Sequence, residues 1–166
     1  MPPDATTADP WAPAVERALA AHKTRPGALL PILHEIQHAL GHVPPAAVPV
    51  IADALNLSRA EVHGVVTFYH EFREHAPGKH VVKICLAEAC QSLGCEDLLA
   101  HARAKLGVEL HGTTSDGAIT LEPVYCLGNC ACSPAIRIDD DVHGLVDAGK
   151  LAALLDELRT QAIEVR

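Results

Sequence analysis

Apolar residues recur with helical spacing early in the chain. Between residues 28 and 40 they repeat about every 3.6 positions, which predicts an amphipathic helix. Gly41 and then Pro44 follow this segment, and both residue types are typical just beyond the end of a helix. The apolar positions that define this helix are Leu29, Leu30, Ile32, Leu33, Ile36, Ala39 and Leu40.

Three further helices are predicted nearby, over residues 14–22, 45–55 and 58 to about 69. The last of these begins with Ser58-Arg-Ala-Glu61, which has the form of a capping box. In that motif the Ser58 hydroxyl accepts from the Glu61 amide, and the Glu61 carboxylate accepts from the Ser58 amide. The first 76 residues therefore predict a helical bundle, with residues 1–12 as a loose lead-in.

The pattern changes after Ala76-Pro-Gly78, which is a candidate domain boundary. Short β-branched runs now alternate with helical segments. The expected order is strand 81–84, helix 94–106, strands 108–111, 119–124 and 135–139, and helix 147–161. This order predicts an α+β fold, in which a helical domain (residues 1–76) precedes a thioredoxin-like sandwich of sheet and helices (residues 77–166).

Charge and hydropathy narrow the possible partners. The net charge is −8, and an acidic surface repels phosphate backbones and anionic lipids, so nucleic acid is not expected as a partner. No apolar run reaches the roughly 20 residues that a membrane span needs, so direct membrane insertion is not expected. The first ten residues lack the basic and apolar regions of a secretory signal. We therefore expect a cytoplasmic protein.

The cysteines are the strongest chemical signal in the sequence. All six lie between Cys85 and Cys132, and a cytosolic disulfide framework is not expected because thiols stay reduced there. Cys85 and Cys90 form a C-x4-C pair, and Cys126 and Cys130 form a C-x3-C pair. Each pair follows a predicted strand, and loops at the ends of neighbouring strands can converge. The four thiols can therefore enclose one inorganic centre.

Two kinds of centre fit this spacing. Thiolates are soft donors that hold either iron–sulfur clusters or zinc. Two cysteines per pair suit a [2Fe–2S] cluster with one pair on each iron, while a four-cysteine zinc site would make the chain a zinc-stabilised interaction module. The remaining thiols, Cys95 and Cys132, are expected to be small buried hydrophobes. Because Cys132 lies two residues past Cys130, a role as an alternative ligand is kept open for it.

A second motif suggests a different function, that of a zinc-dependent protease. His34-Glu-Ile-Gln-His38 matches H-E-x-x-H, in which two histidines bind zinc and Glu35 acts as the general base of a metalloprotease. This segment lies within the predicted bundle, and no third ligand is indicated. We expect these histidines to be solvated or hydrogen-bonded, with the hydrolase kept as an alternative.

At the cysteines the sequence resembles the thioredoxin-like [2Fe–2S] subunit family. That family includes the 24-kDa (E) subunit of respiratory complex I (NADH-quinone oxidoreductase), related subunits of NAD-reducing hydrogenases, and the gamma subunit of soluble NAD-dependent formate dehydrogenases. The resemblance extends from about Leu29 to Leu158. The segments that most resemble the formate dehydrogenase branch are Glu88-Ala-Cys90-Gln-Ser-Leu-Gly94 and Cys130-Ala-Cys-Ser-Pro134.

The resemblance implies one [2Fe–2S] cluster on Cys85, Cys90, Cys126 and Cys130 and a role as an electron-transfer subunit without turnover of its own. It also implies a flavin- and NAD-binding partner and, for the formate dehydrogenase branch, a molybdenum-containing subunit. The chain has no G-x-G-x-x-G motif, so FMN and NAD are expected on the partner.

Overall fold

The computed structural model describes residues 9–164 and shows two compact units that divide between Ala76 and Pro77. A loose lead-in was predicted over residues 1–12, and residues 1–8 of it lie outside the described residues. Its last residue, Ala12, already belongs to the first helix.

Four helices build the first unit: α1 (Ala12–His22), α2 (Leu29–Leu40), α3 (Ala47–Leu55) and α4 (Arg59–Phe68). Each of the four predicted helices is confirmed, with ends that differ by a few residues at most. Their apolar stripes meet in an aliphatic core, because a stripe of helical period must be buried against another element. Its most buried members include Val15, Ile32, Leu33, Ile36, Ile51 and Val62.

The ends of these helices follow from single residues. Gly41 ends α2 with a φ of 78°, a left-handed conformation that glycine adopts without steric cost. The predicted capping box at the start of α4 is confirmed, since both of its reciprocal hydrogen bonds are present. The Ser58 hydroxyl accepts from the Glu61 amide at 3.2 Å, and the Glu61 carboxylate accepts from the Ser58 amide at 2.8 Å.

Substitution of Ser58→Ala should lower the free energy of unfolding by about 1 kcal/mol near neutral pH, because an orphan amide at the helix start loses its acceptor. Hydrogen bonds from the Ser58 amide and from the Ser58 hydroxyl, which lies 2.8 Å from the Glu61 carboxylate, lower the pKa of Glu61, and the substitution removes the second of them. A depressed carboxyl pKa stabilises the fold above the ordinary value of about 4.3, and this contribution is lost as the pH falls through the folded value. Urea denaturation across pH 3–7 should therefore show that the difference in the free energy of unfolding between Ser58→Ala and wild type becomes smaller at low pH.

Thr67→Ala is the matched control, because the exposed Thr67 hydroxyl bonds only to carbonyls of its own helix. Its effect should stay within about 0.5 kcal/mol. Equal losses in Ser58→Ala and Thr67→Ala would contradict a special role of the capping box.

The second unit contains a four-stranded sheet of order β2-β1-β3-β4. Its strands are β1 (His80–Cys85), β2 (Ile119–Val124), β3 (Ile136–Ile138) and β4 (Asp141–His143), and its helices are α5 (Glu88–Gln91), α6 (Cys95–Leu106) and α7 (Ala148–Glu164). The long helices α6 and α7 contact each other and share one apolar core with the sheet. This mixed architecture confirms the predicted α+β class.

The strand prediction was wrong at one place. Residues 108–111 were expected to form a strand because apolar and polar residues alternate there, but they form a turn. His111 has a φ of 65°, and the Gly112 amide donates to the Glu109 carbonyl at 3.0 Å, which closes the turn. The fourth strand is instead β4, a short polar edge strand that carries little hydrophobic signal.

None of the helices in the described part of the chain is both long and apolar enough to cross a membrane.

Candidate metal centre

Strand register places the two cysteine loops at the same end of the sheet. Strands β1 and β2 are parallel, with Cys85 opposite Val124 at the end of each strand. The Leu86 amide donates to the Val124 carbonyl at 2.8 Å, so the strands remain paired one residue past Cys85. The loops that follow the two strands therefore leave the sheet side by side.

Strand β3 brings the end of the second cysteine loop back beside β1. Strand β3 runs antiparallel to β1 and begins with Ile136 opposite Ile84. The Cys85 amide donates to the Ala135 carbonyl at 3.1 Å. The segment from Cys126 to Ala135 therefore starts and ends beside the end of β1.

The second pair of predicted ligands has the spacing of two ligands on one metal. The sulfurs of Cys126 and Cys130 are 3.9 Å apart. Two thiolates on one tetrahedral metal, with metal–sulfur bonds of about 2.3 Å, would lie about 3.8 Å apart. Cys85 and Cys90 pack in one small cluster of buried side chains. The Cys126–Cys130 pair is thus close enough in space to serve one metal ion.

Backbone amides of the second loop lie near the cysteine sulfurs. The Leu127 amide acts on the Cys85 thiol in the first loop and opposes the rise of its pKa. The Gly128 amide donates to the Cys126 sulfur at 3.3 Å, and Gly128 has a positive φ of 74°, a conformation that glycine adopts without steric cost. Cys126 itself has a φ of 113°, a strained conformation of the kind that concentrates at functional sites.

The thiols influence one another electrostatically. Burial raises the pKa of the Cys85 thiol, against the opposing effect of two amide donors. Burial would also raise the pKa of Cys90, but hydrogen bonds from Ser133, the Ala135 amide and Cys85 together lower it. The pKa of Cys130 is raised mainly by its hydrogen bond with Cys126, and also by the charges of Cys90 and Cys85. Thiols from both loops therefore lie within electrostatic range of each other.

The two pairs differ in exposure. Cys85 and Cys90 are 3% and 2% exposed, whereas Cys126 and Cys130 are exposed to solvent. Tyr125, immediately before Cys126, is 74% exposed. A centre held by all four thiols would have one buried side and one side open to a partner.

The two cysteines that are not predicted ligands, Cys95 and Cys132, differ in burial. Cys95 is buried against Cys85 and Cys90, as predicted. The prediction for Cys132 was wrong, because this residue is only partly buried in the short 3₁₀ turn Cys130–Cys132. Gly144 packs closely on the Cys132 Cβ, and this covers only part of the side chain.

Residues of the H-E-x-x-H motif contact other side chains of the helical unit and are not arranged as metal ligands. Glu35 accepts a 2.7 Å hydrogen bond from His22, which occupies the carboxylate that would have to act as the general base. His34 lies with its ring centroid 4.9 Å from that of Phe72. Both contacts lie inside the helical unit. His34 and His38 are exposed, in agreement with the expectation of solvated or hydrogen-bonded histidines.

The donor set fits a two-iron cluster. Within residues 9–164, no three His, Cys, Asp or Glu side chains lie close enough together to hold a single metal ion. The sulfur–sulfur contact that the structure shows there is within one pair, between Cys126 and Cys130. A [2Fe–2S] core takes two thiolates on each iron. Amide donors directed at the sulfurs are also typical of such sites.

Two residues of the site, Ser133 and Gly144, are not predicted from the sequence. The Ser133 hydroxyl lies between Cys90 and the Cys130 carbonyl. Gly144 packs so closely on Cys132 that a Cβ atom would lie 2.6 Å from the Cys132 Cβ. Neither belongs to a periodic pattern, and the only sequence signal was the position of Ser133 three residues after a predicted ligand.

Comparison with known proteins gives a consistent assignment. Residues 15–159 match the family model of the thioredoxin-like [2Fe-2S] ferredoxin. The chain is 36% identical over 142 residues to the E subunit of NADH-quinone oxidoreductase from Pseudomonas aeruginosa, covering 86% of each chain. It is 29% identical over 131 residues to HndA, a subunit of the NADP-reducing hydrogenase from Solidesulfovibrio fructosivorans, covering 79% of this chain and 77% of that one.

A solved structure shares the fold. The crystal structure of an NAD+-reducing [NiFe]-hydrogenase in the H2-reduced state superposes with a TM-score of 0.68 at 22% identity. The match covers 80% of this chain but only 22% of the hydrogenase chain, so it bears on the fold alone. Together, the family match over most of the chain and the relatives of similar length show that this chain belongs to the thioredoxin-like [2Fe-2S] ferredoxin family.

Proposed function

We propose that this chain is the electron-transfer subunit of an NAD-linked oxidoreductase and that Cys85, Cys90, Cys126 and Cys130 hold one [2Fe–2S] cluster. The observation that supports this most is the hydrogen bond between the Cys90 thiol and the Ser133 hydroxyl, whose sulfur and oxygen are 3.3 Å apart. It joins the two cysteine loops at the end of the paired strands β1 and β2. The four thiols can then share one cofactor.

The chain's own residues would hold and orient the cluster. When bound, such a cluster accepts and releases one electron at a time. The buried thiols of Cys85 and Cys90 would exclude water from one side. The exposed loop of Cys126 and Cys130 would face the redox partner. The amides of Leu127 and Gly128 would donate to ligand sulfurs and thereby stabilise negative charge on the site.

Among complexes of this kind we favour a soluble NAD-dependent formate dehydrogenase, with this chain as its gamma subunit. The support is the sequence of the two ligand loops, Glu88–Gly94 and Cys130–Pro134, which resemble that branch. In such a complex FMN and NAD would bind to a flavin-bearing partner, and a molybdenum-containing subunit would oxidise formate. The complex would be cytoplasmic, and the isolated chain would not turn over substrate.

The alternative is the 24-kDa (E) subunit of NADH-quinone oxidoreductase, or the corresponding subunit of an NAD-reducing hydrogenase. The relatives from Pseudomonas aeruginosa and Solidesulfovibrio fructosivorans described above match most of this chain. The ligand loops occupy a small part of the sequence, so overall similarity does not separate these complexes.

Isolation of the complex from its native cells tests the assignment. The chain should be purified through a tag under anaerobic conditions, and the co-purifying subunits and their metals identified. A flavin subunit, a molybdenum subunit and formate-driven reduction of NAD+ are the expected results. Co-purification with membrane subunits or with a nickel subunit would instead establish one of the alternatives. Zinc in the chain, without a redox partner, would favour the zinc-stabilised interaction module.

A further inference from the structure

Ser133 connects the two cysteine pairs through its hydroxyl group. Its oxygen lies 3.3 Å from the Cys90 sulfur and 2.9 Å from the Cys130 carbonyl oxygen. The side chain is buried, with the residue 4% exposed, so water does not compete freely for these contacts. One small polar group thus contacts a cysteine of each pair.

The direction of these hydrogen bonds depends on the state of Cys90. With Cys90 protonated, its S–H donates to the Ser133 oxygen, and the Ser133 O–H donates to the Cys130 carbonyl. A metal ligand must be a thiolate, so metal binding removes the Cys90 proton. The Ser133 oxygen then loses its donor, and its O–H has two acceptors within reach.

The thiolate is the stronger of these two acceptors because it carries charge. Hydrogen bonds to ionised groups are roughly twice as strong as those between neutral groups. The hydroxyl needs only a rotation about its C–O bond to point at the sulfur. A buried hydroxyl between a carbonyl and a thiolate is therefore arranged to donate to the cluster ligand.

We propose that Ser133 is a positioning residue whose hydroxyl donates to the Cys90 thiolate and raises the midpoint potential of the cluster; this inference rests on the proposed function above. Reduction places additional negative charge on the cluster and its sulfurs. A hydrogen-bond donor at a ligand sulfur then stabilises the reduced state more than the oxidised state.

The expected change in midpoint potential is moderate, because it depends only on how much more the hydrogen bond stabilises the reduced cluster than the oxidised one. We expect loss of the hydroxyl to change the ratio of reduced to oxidised cluster at a fixed potential by up to about tenfold, which for one electron equals about 59 mV. Ser133→Ala leaves all four proposed cysteine ligands in place. It should therefore still bind the cluster, at a more negative potential.

Redox titration of the full chain, followed by its visible and electron paramagnetic resonance spectra, tests the proposal. The variants are Ser133→Ala, Ser133→Thr, which keeps the hydroxyl, and Ser92→Ala as the matched control. The Ser92 hydroxyl is near Cys90 in sequence but donates to the Ala89 carbonyl at 3.0 Å. Ser133→Ala should shift to a lower potential, while Ser133→Thr and Ser92→Ala should remain at the wild-type value.

Several outcomes would overturn the proposal. These are an unshifted potential in Ser133→Ala, an equal shift in Ser133→Thr and Ser133→Ala, or failure of both Ser133 variants to bind a cluster. If only Ser133→Thr binds a cluster, the hydroxyl is needed to hold the cluster, and the proposed role in setting its potential is overturned. A wild-type chain without any [2Fe–2S] cluster would instead reject the proposed function, and this inference with it.

Discussion

Replacement of Cys126 by serine should remove the cluster or leave it too unstable to isolate. Serine is a poorer ligand for iron than the soft thiolate, and the iron would lose one of its two protein ligands. The effect should exceed the roughly 10- to 100-fold loss of affinity that follows removal of a residue that only supports a metal ligand. Cys85→Ser should behave in the same way, although its buried position adds a folding cost.

The matched control is Cys95→Ser. Cys95 is as buried as Cys85 and packs in the same small cluster of side chains, but it is not a proposed ligand. All three variants should be expressed anaerobically and assayed for iron, acid-labile sulfide and the visible spectrum. An intact spectrum in Cys126→Ser or Cys85→Ser, or loss of the cluster in Cys95→Ser alone, would contradict the ligand assignment.

Substitution of Gly144→Ala should distort the loop that carries Cys130. The added Cβ would lie 2.6 Å from the Cys132 Cβ, 2.7 Å from the Asn129 Nδ2 and 2.8 Å from the Cys132 carbonyl oxygen. The next amide holds the same loop, since Leu145 donates to the Cys132 carbonyl at 2.6 Å. Relief of the overlap must therefore move the loop or break this pairing.

Overpacking of this kind typically lowers the free energy of unfolding by about 1–3 kcal/mol. Urea denaturation and the rate of iron loss to a chelator would measure both consequences. Gly149→Ala is the control, because its Cβ would meet only the Asp147 carboxylate at 3.4 Å, an ordinary contact. Within helix α7 that change should be neutral or stabilising by up to about 1 kcal/mol. Equal behaviour of the two variants would show that the Gly144 contact is unimportant.

Local signals in the sequence were sufficient for much of the fold. Ser58 and Glu61 predicted the start of α4 because a capping box is formed by neighbouring residues. The β-branched run before Cys85 predicted β1, and the run at 119–124 predicted β2 with its observed bounds. Each of these signals is satisfied within a few residues, so no knowledge of distant contacts was needed.

The remaining features depend on contacts between distant residues. The alternation at 108–111 resembled a strand, but the positive φ of His111 and the Gly112 hydrogen bond direct the chain into a turn. Strand β4 is polar and three residues long, so its pairing with β3 determines it more than its composition does.

The candidate site also combines features that follow from local sequence with features that depend on distant contacts. The positions of both cysteine pairs after strands predicted that their loops meet. The spacing alone did not indicate which pair is exposed, because burial depends on the surrounding elements. Nor did it indicate that Ser133 bridges Cys90 and Cys130, since the contact with Cys90 spans 43 residues of sequence.

The most direct test of the central claim is the metal and sulfide content of the full chain after anaerobic expression. The four cysteines at the ends of β1 and β2 should bind two irons and two acid-labile sulfides per chain, with the visible absorption of a [2Fe–2S] cluster. One zinc per chain, with neither iron nor sulfide, would contradict the assignment.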